Sequence, residues 1–303
     1  MIKLSGVFAP ITTPFDARTG DLDLAGMRRN VARLGSTDLA GLVLFGTTGE
    51  GLLVDPEERV VAIESVRDAV PEKLVLAAAG AESTRMAARL ARDAASAGAD
   101  AVLVAPPAYY RPQMSAEALR EHYTAVADAS PVPVVVYQVP PAYSGMELHS
   151  GLVAELARHT NIIGIKDSRG DLRMLGELID KCPQGFGVLV GSGAAFFGGL
   201  EVGSVGGILA VADLAPEWCC QVVAYRLAGE GVSAGAVQER LTVLHKKVVG
   251  AFGVPGVKAA LDLLGQVGGP PRMPLRTATE KERASIRAAL DEAGLLEAPV
   301  AVR

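Results

Sequence analysis

The sequence predicts an α/β protein built as a (β/α)8 (TIM) barrel with a C-terminal helical extension. Eight short apolar runs recur along the chain, and helix-like stretches separate them. Most of these runs are apolar throughout, as strands buried on both faces of a parallel sheet are. The length of 303 residues accommodates one barrel and an appendage. We therefore expect a barrel over residues 1–228, which holds the active site, and a helical segment over residues 229–303.

The predicted strands are short runs rich in Val, Leu, Ile and Ala, and turn-forming Gly or Pro flanks many of them. Their regular alternation with helices is typical of successive βα units. The predicted strands cover residues 6–12, 41–46, 73–80, 101–106, 133–138, 162–166, 187–191 and 205–210.

The stretches between the strands carry helix start and stop signals. DPEERVVAIESVRDAV begins with Asp55 as a possible N-cap and Pro56 at the first helical position. ESTRMAARLARDAASAG begins near Ser83 and ends at Gly98, a residue type common at C-caps. SAEALREHYTAVADA and LHSGLVAELARH predict two more helices. After residue 228, GVPGVKAALDLLG and EKERASIRAALDEAG predict a mostly helical segment.

The composition is that of a soluble globular protein, with 50% hydrophobic and 21% charged residues. A net charge of −5 gives no reason to expect nucleic acid or an anionic membrane as a partner. No apolar run reaches membrane-spanning length, and MIKLSGVFAPITTPF does not resemble a signal peptide. We expect a cytoplasmic protein with reduced cysteines. Its four scattered histidines predict no metal site.

The carboxyl ends of the strands are where a barrel places its active site. Lys166 ends the sixth predicted strand, in NIIGIKDSRG, and Tyr137 ends the fifth. Three loops follow other strands: GTTGE (46–50) after the second, PPAYYRP (106–112) after the fourth and GSG (191–193) after the seventh. All of these would lie on one rim.

Lys166 is an unusual end for an apolar strand, because lysine is rarely buried without a partner. A neutral lysine amine attacks ketones, and apolar walls disfavour its ammonium form. Alternatively, Lys166 only leaves the sheet and pairs with Asp167 or Asp171. Tyr137 is either a general acid or base beside the lysine or an aromatic strand residue with a solvated hydroxyl.

The loops allow a functional and an ordinary interpretation as well. GTTGE offers two hydroxyls and backbone amides that can bind a carboxylate, or it is a simple strand-to-helix turn. GSGAAF begins like a dinucleotide fingerprint, but Phe196 stands where the third glycine belongs, so we interpret it as a turn. We interpret Lys258, in GVPGVKAAL, as a helix-surface lysine.

The order GTTGE, YYRP, YQVP and GIKDS resembles the pyruvate-dependent class I aldolases, the dihydrodipicolinate synthase and N-acetylneuraminate lyase family. The resemblance covers nearly the whole chain, including FGVPGVKAALDLLGQVGGPPRMPL. It implies a carbon–carbon lyase that acts on a 2-oxo acid with a pyruvate moiety and needs no cofactor. It also implies a homo-oligomer, either a dimer or a homotetramer.

The resemblance implies a role for each matched residue. Lys166 would form the Schiff base, Tyr137 would be the catalytic tyrosine, and Thr47 would relay protons. Tyr109 aligns with a tyrosine that reaches the site of a neighbouring subunit. The implied substrate-binding residues are Thr48, which would hold the keto-acid carboxylate, and Ile208, whose backbone would line the pyruvate site.

The chain departs from dihydrodipicolinate synthases where they bind the second substrate. Those enzymes continue YNVP with Ser-Arg-Thr-Gly, but YQVPPAYSG has Ala142 and Tyr143 near the place of that arginine. The motifs are closer to 4-hydroxy-2-oxoglutarate aldolases, which release pyruvate and glyoxylate. Ser168, Tyr143 and Arg169 are then candidate donors to the second carboxylate. Arg169 is equally a candidate for a solvated loop residue paired with Asp171.

Four other functions remain open on these residues. Two are aldolase chemistries, dihydrodipicolinate synthesis and the cleavage of 2-keto-3-deoxy sugar acids. A third is a barrel that only senses a keto acid, against which the retention of Lys166, Tyr137 and Thr47 argues. The fourth is a nicotinamide oxidoreductase, which the imperfect GSGAAF motif weakens.

Overall fold

A computed structural model describes residues 2–296 of the chain. Eight parallel strands follow one another in order around a closed barrel, and β8 pairs with β1. The strands are β1 Gly6–Ala9, β2 Gly41–Leu44, β3 Leu74–Ala78, β4 Ala101–Val104, β5 Val134–Gln138, β6 Ile162–Asp167, β7 Gly187–Val190 and β8 Gly206–Ile208. The predicted (β/α)8 barrel is thus confirmed, strand by strand.

The observed strands are shorter than most of the predicted runs. β1 stops before Pro10, which has no N–H to donate to a neighbouring strand. The residues that follow most strands leave the sheet and form the rim. β6 is the exception, because it continues one residue past Lys166 to Asp167.

Helices cover the outside of the barrel. Those between the strands and after β8 are α1 Leu24–Gly35, α2 Pro56–Ala69, α3 Thr84–Ser96, α4 Ala116–Ala129, α5 Pro141–Ser144, α6 Ser150–Leu156, α7 Leu172–Lys181, α8 Phe196–Glu201 and α9 Pro216–Leu227. The later helices are α10 Gly231–Leu244, a π-helix His245–Gly250, α11 Ala251–Leu263 and α12 Glu280–Ala293.

The predicted helix starts are observed at their capping residues. Asp55 and Glu58 form a reciprocal capping box at the start of α2, with Pro56 in the first turn. The Ser83 and Ser115 hydroxyls each accept a hydrogen bond from a backbone N–H three residues on, 3.2 Å away. Local side-chain chemistry therefore fixes where these helices begin.

The segment after α9 is helical over its described part, as expected, while residues 297–303 lie outside the described residues. Within α11, Gly253 has φ +59° and ψ −143°, which interrupts the helix before Pro255. The division of the chain at residue 228 remains a proposal. No helix in the described part of the chain is both long and apolar enough to span a bilayer.

The apolar side chains form two clusters on either side of the strands. The larger cluster lies between the strands and the helices. The smaller one fills the barrel and includes Phe8, Val43, Leu103, Tyr137 and Ile208. Tyr137 therefore belongs both to the barrel interior and to its rim, which positions its hydroxyl at the end of a packed core.

Candidate active site

Lys166 and Tyr137 are direct neighbours at the carboxyl ends of β6 and β5, where the strand register pairs them. The Lys166 Nζ lies 4.2 Å from the centroid of the Tyr137 ring. Only 4% of Lys166 and 5% of Tyr137 are exposed. An amine is thus held in a nearly dry place against the face of an aromatic ring, which attracts it in the cationic form.

Two hydroxyls converge on that of Tyr137. The Thr47 Oγ1 lies 3.2 Å from the Tyr137 oxygen, and the Ser168 hydroxyl is near enough to help lower the pKa of Tyr137. Residues from the loops after β2 and β6 therefore meet the end of β5. A chain of hydroxyls beside an amine can pass protons between them.

The electrostatics of this cluster lower the pKa of Tyr137. Burial opposes ionisation of Tyr137, but the charge of Lys166 and the hydrogen bonds from Thr47, Ser168 and Lys166 outweigh it. The pKa of Tyr137 is consequently lower than its usual value. A tyrosine in this setting is a better general base at neutral pH than a free one.

The GTTGE loop between β2 and α2 has an unusual backbone. Phe45 (φ +60°) and Glu50 (φ +54°) both adopt left-handed conformations and bracket Thr47 and Thr48. A Cβ at Gly51 would overlap the carbonyl oxygen of Phe45, so only glycine fits there. Such strain persists where the surroundings over-determine the backbone, and it clusters at functional sites.

Arg169 is a paired residue at the edge of the site. Its Nε donates to both carboxylate oxygens of Asp167, at 3.2 and 3.0 Å, and its side chain is 8% exposed. The suggested solvated pairing with Asp171 is therefore wrong, because Asp171 accepts from the Arg173 N–H at the start of α7. The ion-pair partner of Asp167 is therefore Arg169 and not Lys166.

The remaining predicted residues lie at different depths. Ile208 ends β8 and is fully buried inside the barrel. Thr48 is half-buried beside Thr47. Tyr143 is exposed, and a Cβ at Gly253 would lie 3.8 Å from its hydroxyl oxygen. Tyr109 is the most exposed of them, at 79%.

The GSGAAF motif is a turn, as interpreted from the sequence. It forms a single 3-10 turn, Gly193–Ala195, which leads into the short helix α8. Among residues 2–296, no group of three or more His, Cys, Asp and Glu side chains is arranged to hold a metal ion.

Lys258 was predicted on a helix surface, and that prediction is wrong. Only 1% of Lys258 is exposed, and its Nζ lies 2.5 Å from Oε1 of Glu50, the last residue of GTTGE. Glu82 was not among the predicted residues, and its Oε2 accepts from the backbone N–H groups of Ala108 and Tyr109 at 3.1 and 2.9 Å. In the sequence, the only sign of these two sets of contacts was an acidic residue in each loop, Glu50 in one and Glu82 in the other.

A buried lysine and a neighbouring tyrosine at the carboxyl rim of a (β/α)8 barrel define a carbon–carbon lyase of the class I, lysine-dependent aldolase type. The chain belongs to the dihydrodipicolinate synthetase family, whose pattern it matches over residues 3–293.

Named relatives cover almost the whole chain. A "probable 4-hydroxy-2-oxoglutarate aldolase, mitochondrial" of Emericella nidulans is 34% identical over 297 residues, with 96% of each chain covered. A 4-hydroxy-tetrahydrodipicolinate synthase of Roseobacter denitrificans is 36% identical over 292 residues, or 96% of this chain and 99% of the relative.

A solved structure is similar over the same length. The prophage protein YagE of E. coli K12, of the dihydrodipicolinic acid synthase family and in complex with pyruvate, superposes with a TM-score of 0.91 at 28% identity. The match covers 97% of this chain and 99% of that one. The relatives thus include two different named activities and one pyruvate complex.

Proposed function

We propose that the protein cleaves 4-hydroxy-2-oxoglutarate into pyruvate and glyoxylate through an imine on Lys166. The observation that carries this proposal is the contact between the Lys166 amine and Tyr137, 4.2 Å from Nζ to the ring centroid, with Thr47 bonded to the tyrosine hydroxyl. Amine, base and proton relay are then in one place.

The reaction begins when the neutral amine of Lys166 attacks the C2 ketone. Tyr137, whose lowered pKa makes its ionised form more accessible, takes the proton that the Lys166 ammonium must lose. The carbinolamine loses its hydroxyl as water, for which Thr47 relays the proton. The product is a protonated imine, whose positive nitrogen withdraws electrons from C3.

Cleavage follows when Tyr137 removes the proton of the C4 hydroxyl. The C3–C4 bond breaks, its electron pair moves into the enamine, and the imine nitrogen becomes neutral. Glyoxylate leaves with the former C4 as its aldehyde carbon. Tyr137 returns the proton to C3, and water hydrolyses the resulting imine to pyruvate and free Lys166. Atoms, electrons and protons balance without an oxidant.

The two ends of the substrate require different partners. We assign the carboxylate next to C2 to Thr48 and the backbone at Ile208. We assign the far carboxylate to the hydroxyls of Ser168 and Tyr143, because a carboxylate entering a dry pocket needs donors. Arg169 would have to leave Asp167 to reach it, so in this proposal Arg169 acts by holding Asp167 and the chain that follows Lys166.

Dihydrodipicolinate synthesis is the second candidate function. The 36% identity to the Roseobacter enzyme named for that activity favours it. The short helix α5, Pro141–Ser144, argues for the first candidate, because it has no arginine at the place where the resemblance puts the one that binds aspartate semialdehyde. Both candidates share the imine on Lys166 and differ only in the second substrate.

A substrate panel distinguishes the two candidates. Pyruvate release is followed with lactate dehydrogenase and NADH for 4-hydroxy-2-oxoglutarate, N-acetylneuraminate and 2-keto-3-deoxy-gluconate, and condensation is followed with pyruvate and aspartate semialdehyde. We expect the highest kcat/KM for 4-hydroxy-2-oxoglutarate. A comparable kcat/KM for condensation with aspartate semialdehyde would transfer the assignment to the second candidate.

We also propose that the active form is a cytoplasmic homo-oligomer, a dimer or tetramer, in which Tyr109 completes a neighbouring site. The high exposure of Tyr109 and Tyr110, at 79% and 64%, supports this proposal. Aromatic residues of this kind are enriched at protein interfaces. Glu82 fixes the backbone of this loop, so Tyr109 is presented in a defined direction.

A further inference from the structure

Glu50 and Lys258 form a buried ion pair that the proposed chemistry does not use. The Lys258 Nζ lies 2.5 Å from Glu50 Oε1, and 1% and 0% of the two side chains are exposed. Glu50 ends the loop that carries Thr47 and Thr48, whereas Lys258 lies in the middle of α11. The pair therefore joins the C-terminal segment to the active-site loop.

The other polar atoms of the pair are also engaged. Glu50 Oε2 accepts from the Arg272 N–H at 2.7 Å, and Lys258 Nζ donates to the Pro270 carbonyl at 2.8 Å. The Lys258 amine lies over the ring of Phe15, 4.6 Å from its centroid. Four segments thus meet at one buried point, and each oxygen of the Glu50 carboxylate has a partner there, Lys258 for Oε1 and the Arg272 N–H for Oε2.

Stability alone is a weak explanation for such a pair. Burial lowers the pKa of Lys258 against the opposing charge of Glu50, so the environment disfavours the charge. Buried ion pairs are often no more stabilising than apolar residues of the same size. Their best-attested use is to select one conformation among several.

The conformation that needs selecting is that of the GTTGE loop. Glu50 itself has φ +54°, and Phe45 at the other end has φ +60°. A loop with two left-handed non-glycine residues relaxes unless its surroundings hold it. Thr47 lies three residues from Glu50, and its Oγ1 is 3.2 Å from the Tyr137 hydroxyl, a distance that a small relaxation would lengthen beyond a hydrogen bond.

We propose that the Glu50–Lys258 pair is a positioning device that holds Thr47 against Tyr137, so that helix α11 governs proton transfer at the lysine. Neither residue touches the substrate. The inference rests on the proposed function only for the role of Thr47 as a relay, and it does not depend on which aldehyde is the second substrate.

The test uses an exchange reaction that needs pyruvate alone. Enamine formation on Lys166 exchanges the methyl protons of pyruvate for solvent deuterium, which NMR follows as a function of pH. We expect Lys258→Met to lower the exchange rate by about tenfold or more, since small misplacements of catalytic groups cost up to about 10²-fold. The limb of the pH profile that reports Tyr137 should move to higher pH, because Tyr137 loses the hydrogen bond that helps it ionise.

A double-variant cycle separates positioning from general loosening. In a Thr47→Val background, Lys258→Met should cost little more, because the contact it protects is already absent. The proposal would be overturned if the losses in exchange rate of the two single variants multiplied in the double variant. It would also be overturned if Lys258→Met slowed exchange without moving the pH profile. Glu50→Gln keeps the shape of the pair and provides the same cycle if Lys258→Met does not fold.

The matched control is a lysine on the surface of the same segment. Lys247→Met removes a solvent-exposed pair with Glu292 on α12 and should leave both the rate and the profile unchanged. If wild-type protein exchanges pyruvate protons but fails to cleave 4-hydroxy-2-oxoglutarate, the substrate assignment falls while the cycle on Lys258 still gives its answer.

Discussion

At the scale of single residues, Tyr137 connects the barrel core to the chemistry. Its ring packs with the interior of the barrel, while its hydroxyl meets Thr47 on the rim. Its position next to Lys166 follows from strand register alone, since β5 and β6 pair these two residues. The rigid strands therefore hold the acid–base group and the nucleophile in a fixed relation, which is what precise proton transfer requires.

Tyr137→Phe removes the hydroxyl and leaves the packed ring. We expect kcat to fall by about 10²–10⁴, the usual contribution of general acid–base catalysis, with an unchanged circular dichroism spectrum and melting temperature. Steady-state kinetics on pyruvate release measure the loss. Near-normal turnover would reduce Tyr137 to a packing residue.

Thr47→Val tests the cause of the lowered pKa of Tyr137. A hydrogen bond from Thr47 favours the tyrosinate, so its loss raises the pKa of Tyr137 toward the usual value. The limb of the kcat profile in which activity rises with pH should then shift to higher pH. Thr37→Val is the control, because Thr37 lies in the loop before β2, at the opposite end of the barrel. A limb that stays in place would remove Thr47 from the proton pathway.

At the scale of elements, the GTTGE loop shows what the sequence reveals and what it conceals. Its position after an apolar run and before a capped helix could be predicted from the sequence, because strand and helix signals are local. The left-handed backbone at Phe45 and Glu50 could not be predicted from the sequence, since non-glycine residues seldom adopt this conformation. The Glu50 carboxylate in this loop also accepts a hydrogen bond from the Arg272 N–H, more than 200 residues away in the chain.

Gly51→Ala tests the fit of this loop. A Cβ would overlap the Phe45 carbonyl oxygen, so we expect a loss of about 1–3 kcal/mol in unfolding free energy, typical of overpacking. Activity should fall further than stability, because the loop carries Thr47. Gly176→Ala on α7 is the matched control, since a Cβ there meets no atom within 4 Å, and urea titration compares the two. Equal stability of both variants would contradict the described loop.

The wrong predictions for Lys258 and Arg169 have one physical cause. Lys258 was read as a surface residue because a lysine on a helix usually is, and only the fold brings it against Glu50. Arg169 was paired with Asp171 by sequence proximity, whereas strand geometry directs Asp167 toward it. The proximity of Lys166, Tyr137 and Thr47 was predictable because the ends of parallel strands share one rim, whereas their roles rested on the family resemblance and stay predictions.

At the scale of the whole molecule, one chain supplies the lysine, the tyrosine and the hydroxyls, but Tyr109 is 79% exposed. The proposed oligomer predicts that sites are shared. We expect Lys166→Ala and Tyr109→Phe each to be poorly active alone. Their mixture should regain activity after dissociation and reassociation, because one hybrid site then contains both wild-type residues.

The control for this complementation is a mixture of Lys166→Ala with Tyr137→Phe. Those residues belong to the same subunit's site, so no hybrid site is intact and no activity should return. Native mass spectrometry confirms that hybrids form in both mixtures. If hybrids form in the mixture with Tyr109→Phe but no activity returns, Tyr109 acts within its own chain or only in packing.

The central claim is that Lys166 carries the substrate as an imine, and borohydride trapping tests it most directly. Pyruvate with borohydride should reduce the imine to one stable adduct per chain, and peptide mapping should find it on Lys166. Lys166→Ala should give no adduct, while Lys258→Met should still be labelled. An adduct on Lys258, or none on the wild-type protein, would contradict the account.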